Sequence, residues 1–132
     1  MSAIHIHLDL TYPDDDTARL VFEAFSQWPT ETLRRKKPDA RRLKAIKCSM
    51  DWIGYDMPHL YHRVFEQEVC HLVEPPVREG NTIRLYFYCG KRAGWLFWEE
   101  VYVDLGKIPV TIHGHFMYDM TGLEDERTET FP

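Results

Sequence analysis

Strict alternation of apolar and polar residues limits the fold of this chain more than any other feature of its sequence. Residues 4–12 divide into two sets, Ile4, Ile6, Leu8 and Leu10 on one side and His5, His7, Asp9 and Thr11 on the other. The same period of two recurs over residues 83–89 and 108–119. A period of two predicts β-strands that bury one face and leave the other open.

Two helices are predicted between these strands. The acidic run 14–16 suits a helix N-terminus, and the apolar residues that follow at helical spacing predict a helix over about 15–27. Pro29 and the basic run after it end that helix. A second apolar stripe, with Pro58 near its start, predicts a helix over about 57–72.

Three further segments complete the predicted order of elements. Residues 39–53 fit either a helix with one apolar stripe or a strand, and the length of the segment does not distinguish the two. The unbroken alternation before Gly54 favours a strand over 44–52. Residues 95–104 are predicted to form a strand of a C-terminal β-meander, between 83–89 and 108–119. The segment 123–132 is acidic and has no apolar pattern, so we expect a mobile tail.

This order of elements predicts an α+β fold. We expect two helices on one face of a mainly antiparallel sheet of four to five strands, as a variant of the ferredoxin-like arrangement. With 132 residues, the chain is expected to form a single domain over 1–122, followed by the tail.

Composition indicates the class of protein and the compartment in which it is expected. Hydrophobic residues make up 44% and charged residues 28%, which is ordinary for a globular chain. No apolar run approaches the ~20 residues that cross a bilayer, and Asp9 interrupts the N-terminal apolar stretch, so we expect neither a membrane partner nor export. The 3 cysteines, Cys48, Cys70 and Cys89, are too scattered for a disulfide framework and are predicted to be buried thiols in a cytoplasmic protein.

Charge is segregated along the chain. The segment 34–47, which we call the basic strip, holds eight of the 16 basic residues and one acidic residue, a net charge of +7 that leaves −12 on the rest. Such a strip can be a solvated linker, or it can bind phosphates or an acidic protein surface. Its residues predicted to bind a partner are Arg34, Arg35, Lys36, Lys37, Arg41 and Arg42.

Two His-x-His pairs are the strongest candidates for metal ligands. His5 and His7 share one side of the first strand, and His113 and His115 share one side of the last. If these strands are neighbours, four imidazoles meet on one face of the sheet, and imidazole suits zinc and other transition metals. Solvated strand histidines with no metal role are the alternative, and no cofactor is the default expectation.

Aromatic residues on the predicted meander form a second candidate surface. Tyr86 and Tyr88 share a strand face with Arg84, and Trp98 and Tyr102 share a face of the next predicted strand. Exposed tyrosine, tryptophan and arginine are enriched at protein interfaces, including those of homodimers. Aromatic side chains on a sheet also stack the bases of single-stranded nucleic acids, but the acidic body opposes a polyanion.

These features favour a small binding module over an enzyme. The hypothesis is a non-enzymatic protein that modulates or inhibits a larger protein partner. One concrete form is an anti-CRISPR protein, an inhibitor from a phage or mobile element that acts on a nucleic-acid-handling complex such as a CRISPR effector. A metal-binding enzyme or sensor and a single-stranded nucleic-acid binder are the two alternatives.

Overall fold

A computed structural model describes residues 3–26, 71–90, 101–119 and 121–132, and within them an α+β fold. The strands are β1 (Ala3–Thr11), β2 (His71–Leu72), β3 (Val77–Glu79), β4 (Thr82–Gly90), β5 (Val110–Tyr118) and β6 (Glu124–Phe131); the helices are α1 (Asp15–Phe25) and α2 (Tyr102–Leu105). The described strands form one sheet in the order β2-β4-β1-β5-β6, with β3 also paired to β4. Each of these pairings is antiparallel.

The alternating sequence of β1 explains its central position. It pairs with β4 along one edge, where Leu8 lies opposite Leu85, and with β5 along the other, where Leu10 lies opposite Ile112. The apolar residues of the three strands thus form one continuous inner face. Ile4, Ile6, Leu8 and Leu10 are at most 1% exposed. Burying each such side chain contributes about 1.5–3 kcal/mol to folding.

Helix α1 covers part of this inner face. Asp14 is its N-cap, and the Asp14 carboxylate accepts hydrogen bonds from the backbone N–H of Thr17 at 2.8 Å and from the Thr17 hydroxyl at 2.9 Å. These hydrogen bonds favour the ionised carboxylate and lower the pKa of Asp14. The core side of the helix buries Ala18, Val21, Ala24 and Phe25. The prediction of a helix from about residue 15 is confirmed, with its end at Phe25.

The predicted β-meander is wrong in its strand order. It placed residues 95–104 between the strands over 83–89 and 108–119, whereas β1 lies between β4 and β5. Of the strand predicted over 95–104, residues 102–104 belong instead to helix α2, which buries Tyr102, Asp104 and Leu105. Residues 95–100 lie outside the described part of the chain.

The prediction of a mobile tail is also wrong, since β6 pairs with β5 along 124–131. The Phe131 ring packs against the core, and the guanidinium of Arg127 pairs with the Glu129 carboxylate. The sheet therefore continues past the boundary predicted at residue 122. Two residues of the helix predicted over 57–72 form β2, while 57–70 and the strand predicted over 44–52 lie outside the described residues.

Candidate interaction surface

The face of the sheet opposite the core carries the polar half of each alternating strand. We call it the open face. Its side chains come from four neighbouring strands: His5, His7, Asp9 and Thr11; Thr82, Arg84, Tyr86 and Tyr88; Thr111, His113, His115 and Met117; Glu124, Glu126, Thr128 and Thr130. These side chains are half-buried or exposed, whereas the opposite face of β1, β4 and β5 lies in the core.

The two His-x-His pairs lie on neighbouring strands of this face. His7 is directly opposite His115, and Asp9 is opposite His113. Residues directly opposite in an antiparallel pair have Cβ atoms about 4.5–5.5 Å apart, so the imidazoles of His7 and His115 interact. The sequence predicts that the two histidines of each pair lie on the same side of their strand. The strand order then places both pairs on the open face.

Beside the histidines, two tyrosines of β4 form a ring cluster with β1. The His7 ring stacks on the Tyr86 ring at 4.1 Å between centroids and an interplanar angle of 19°. The His5 ring meets Tyr88 edge to face at 4.9 Å. A hydrogen bond of 2.5 Å joins His5 Nδ1 and the Tyr86 hydroxyl. These contacts hold the four rings in a defined arrangement.

Carboxylates lie next to three of the four imidazoles. His5 Nε2 is 3.0 Å from the carboxylate of Asp119, which follows the end of β5. His115 Nε2 is 3.8 Å from Glu124, and His113 Nε2 is 4.0 Å from Glu126. His113 Nδ1 also lies 2.6 Å from the Thr128 hydroxyl. Each of these three imidazoles thus lies within ion-pairing distance of a carboxylate.

His7 is in a different environment. Burial lowers the pKa of His7, and the neighbouring imidazoles of His115 and His5 lower it further, against a smaller opposing effect from Glu74 and Asp9. The neutral form of His7 is thus favoured in the folded protein, consistent with its stacking on a phenol ring.

This environment predicts a pH effect on stability. Because the pKa of His7 is lower in the folded chain than in the unfolded chain, the unfolded state binds more protons between those two values, and stability falls as pH drops through that window. The fall in melting temperature from about pH 7.5 to about pH 5 should be smaller in His7→Gln than in the wild type. His113→Gln, which removes one imidazole from the same face, is the matched control. Equal pH dependence in the His7→Gln variant and the wild type would contradict this prediction.

The other predicted site residues divide into three groups. Arg84, Tyr86 and Tyr88 lie on the open face, where Arg84 is 3.4 Å from Glu79 and 3.9 Å from Asp9.

Tyr102 does not lie on the open face. Its side chain is 1% exposed, and its hydroxyl donates a hydrogen bond to the Arg127 carbonyl at 2.9 Å. Helical backbone at 102–105 turns this ring into the core, so its placement on an exposed strand was wrong. Trp98 and the basic strip lie outside the described residues.

Metal coordination by the four histidines is not shown by the structure. Within the described ranges, no group of three or more His, Cys, Asp or Glu side chains is arranged to hold a metal ion. The role of His5, His7, His113 and His115 as metal ligands therefore stays a prediction.

Glu124 and Glu126 of β6, which we call the acidic rim, border the open face and were not predicted from the sequence. Glu124, Glu126 and Thr128 were assigned to a mobile tail because β6 lacks an apolar stripe. In the structure, half-buried Arg127, Glu129 and Phe131 alternate with exposed neighbours, but only Phe131 of these three is apolar, so the sequence carries no apolar stripe.

Cys89 departs from its predicted chemistry. It is fully buried on the inner face of β4, as expected, but it is disulfide-bonded rather than a free thiol. Cys48 and Cys70 both lie outside the described residues. A disulfide is characteristic of an oxidising compartment, so the cysteines no longer support a cytoplasmic location.

Comparisons with known proteins identify no relative. No family model, curated protein or solved structure matches the chain. Among the described helices, none has the length and apolar character needed to cross a membrane.

Proposed function

We propose that this protein is a non-enzymatic interaction module that modulates or inhibits a larger protein partner through its open face. The observation that carries the proposal is the contrast between the two faces of one sheet. The inner face of β1, β4 and β5 is buried in a core that includes side chains of both described helices, whereas the open face presents half-buried rings beside exposed carboxylates.

The side chains of the open face resemble the composition of protein interfaces. Tyrosine, methionine and arginine are enriched in the cores and hot spots of interfaces, and Tyr86, Tyr88, Met117 and Arg84 supply all three types. The stacked and hydrogen-bonded rings lose little conformational entropy when a partner covers them, because their positions are already restricted.

Charge favours a protein over a nucleic acid as the partner. Arg84 is the single arginine or lysine among the described open-face residues, and two carboxylates already flank it. A phosphate backbone needs several uncompensated cations to release its counterions. The basic strip of the sequence is a second proposed contact, for an acidic surface on the same partner.

The finer parts of the hypothesis belong to this proposal as well. An inhibitor of a CRISPR effector, an anti-CRISPR protein, is one concrete form of such a module. A ferredoxin-like variant is the proposed fold, supported by the two described helices on one face of an antiparallel sheet. Association of two copies through the open face is the alternative use of this surface.

Site-specific photo-crosslinking tests the proposal. A benzophenone amino acid at Thr128, on the open face, should form a covalent product with one partner protein in cells that naturally produce this chain. The same amino acid at Asp16, exposed on helix α1, is the control and should give no such product. Products from both positions, or from Asp16 alone, would refute the open face as the binding surface.

A further inference from the structure

Among the described residues, the open face and its border carry more negative than positive charge. Arg84 is the one arginine or lysine in the described part of this surface, and the carboxylates that contact Arg84 or lie near the histidines are Asp9, Glu74, Glu79, Asp119, Glu124 and Glu126. These six carboxylates and one guanidinium give the described part of this surface a net charge of −5 when the histidines are neutral. The side chains of Glu124 and Glu126 are 63% and 65% exposed, so their charges are available to a partner.

We propose that the partner segment bound by the open face is basic and rich in arginine. This inference rests on the proposed function, since it names the chemistry of the partner that the same surface takes. A basic segment is complementary to the excess of carboxylates, whereas an acidic segment would bring like charges together. Two copies that met through their open faces would likewise oppose −5 with −5.

The arrangement of rings and carboxylates suits guanidinium groups in particular. Arginine stacks its planar group on aromatic rings and donates paired hydrogen bonds to carboxylates. The chain itself contains this combination, because Arg127 lies 5.3 Å over the Tyr102 ring and pairs with Glu129. On the open face, His5 lies between the Tyr86 hydroxyl at Nδ1 and the Asp119 carboxylate at Nε2, so an aromatic side chain and a carboxylate flank the same imidazole.

A labelled octa-arginine peptide tests the proposal directly. Its dissociation constant is measured by fluorescence anisotropy with the full chain in about 0.15 M salt. We expect Glu124→Gln/Glu126→Gln to weaken binding about tenfold, because both carboxylates face the peptide. The matched control is Asp16→Asn/Asp125→Asn, which removes the same charge from exposed positions elsewhere and should change binding less than about twofold. Circular dichroism confirms that both variants fold.

Two further arms complete the experiment. Octa-glutamate and single-stranded oligothymidine should not bind. Sedimentation velocity should show a monomer.

Several results would overturn the inference. The first is that Asp16→Asn/Asp125→Asn weakens octa-arginine binding as much as Glu124→Gln/Glu126→Gln does. The others are that octa-arginine does not bind, that the oligonucleotide binds more tightly than octa-arginine, or that the protein forms a dimer that excludes the peptide. If the Thr128 crosslink still forms to a partner while octa-arginine does not bind, the proposed function stands and only the basic partner chemistry fails. If octa-arginine binds as expected but no crosslink forms, the proposed function fails instead.

Discussion

Gly114→Ala should lower the free energy of unfolding by about 1–3 kcal/mol, the usual range for overpacking a core. Gly114 sits among the inward-facing residues of β5, opposite Leu8. A Cβ atom there would fall too close to the Tyr102 hydroxyl and 2.9 Å from Cε2 of Phe116. Tyr102 cannot easily move, because its ring is buried and its hydroxyl donates to the Arg127 carbonyl. Urea denaturation of the single variant measures the loss.

A double-mutant cycle isolates the physical cause. Tyr102→Phe alone should cost about 1 kcal/mol, because it removes the hydrogen bond to Arg127. In Gly114→Ala/Tyr102→Phe the closest clashing atom is absent, so the double variant should be more stable than the sum of the two single effects predicts. Strict additivity would mean that the hydroxyl is not the source of the strain.

Cys89→Ala should reduce the free energy of unfolding by about 2–4 kcal/mol, because it removes a buried disulfide. A reductant should lower the melting temperature of the wild type to nearly that of the variant, and it should leave the variant itself almost unchanged. Differential scanning calorimetry with and without reductant measures both effects. A wild type insensitive to reductant would refute a stabilising role for the bond.

Chemical labelling provides the control for this prediction. Iodoacetamide added to the denatured but unreduced chain should modify one of the 3 cysteines, and all of them after reduction. The single variants Cys48→Ser and Cys70→Ser then identify the cysteine bonded to Cys89. Substitution of that cysteine should make the melting temperature insensitive to reductant, as Cys89→Ala does, and substitution of the other should not. The same iodoacetamide labelling of protein taken from its natural cells tests the predicted cytoplasmic location, because it shows whether the disulfide is present there.

Much of the central sheet could be predicted from local patterns. Strands β1, β4 and β5 each repeat an apolar residue at every second position over nine residues, which only an extended chain can turn into one buried face. Helix α1 combines an aspartate N-cap with apolar residues at helical spacing. These signals lie within a single element, so no knowledge of its neighbours is needed.

The open face was only partly predictable. Alternation alone places His5 and His7 on the same side of β1, and His113 and His115 on the same side of β5. Their proximity depends on β1 lying between β4 and β5, an order that the expected meander did not contain. The acidic rim from β6 was missed altogether, because charged residues at an edge of a sheet leave no apolar stripe to detect.

Local sequence patterns are enough to predict which residues of β1, β4, β5 and α1 are buried, because the repeat of apolar side chains must match the geometry of the backbone. Contacts between distant segments set which strands are neighbours, make 102–105 a helix and bring 124–131 into the sheet. Backbone hydrogen bonds pair strands without regard to side-chain polarity, so β6 is ordered by its contact with β5. Short segments take the conformation that packs best against a core assembled from distant residues, as Tyr102 does over Gly114.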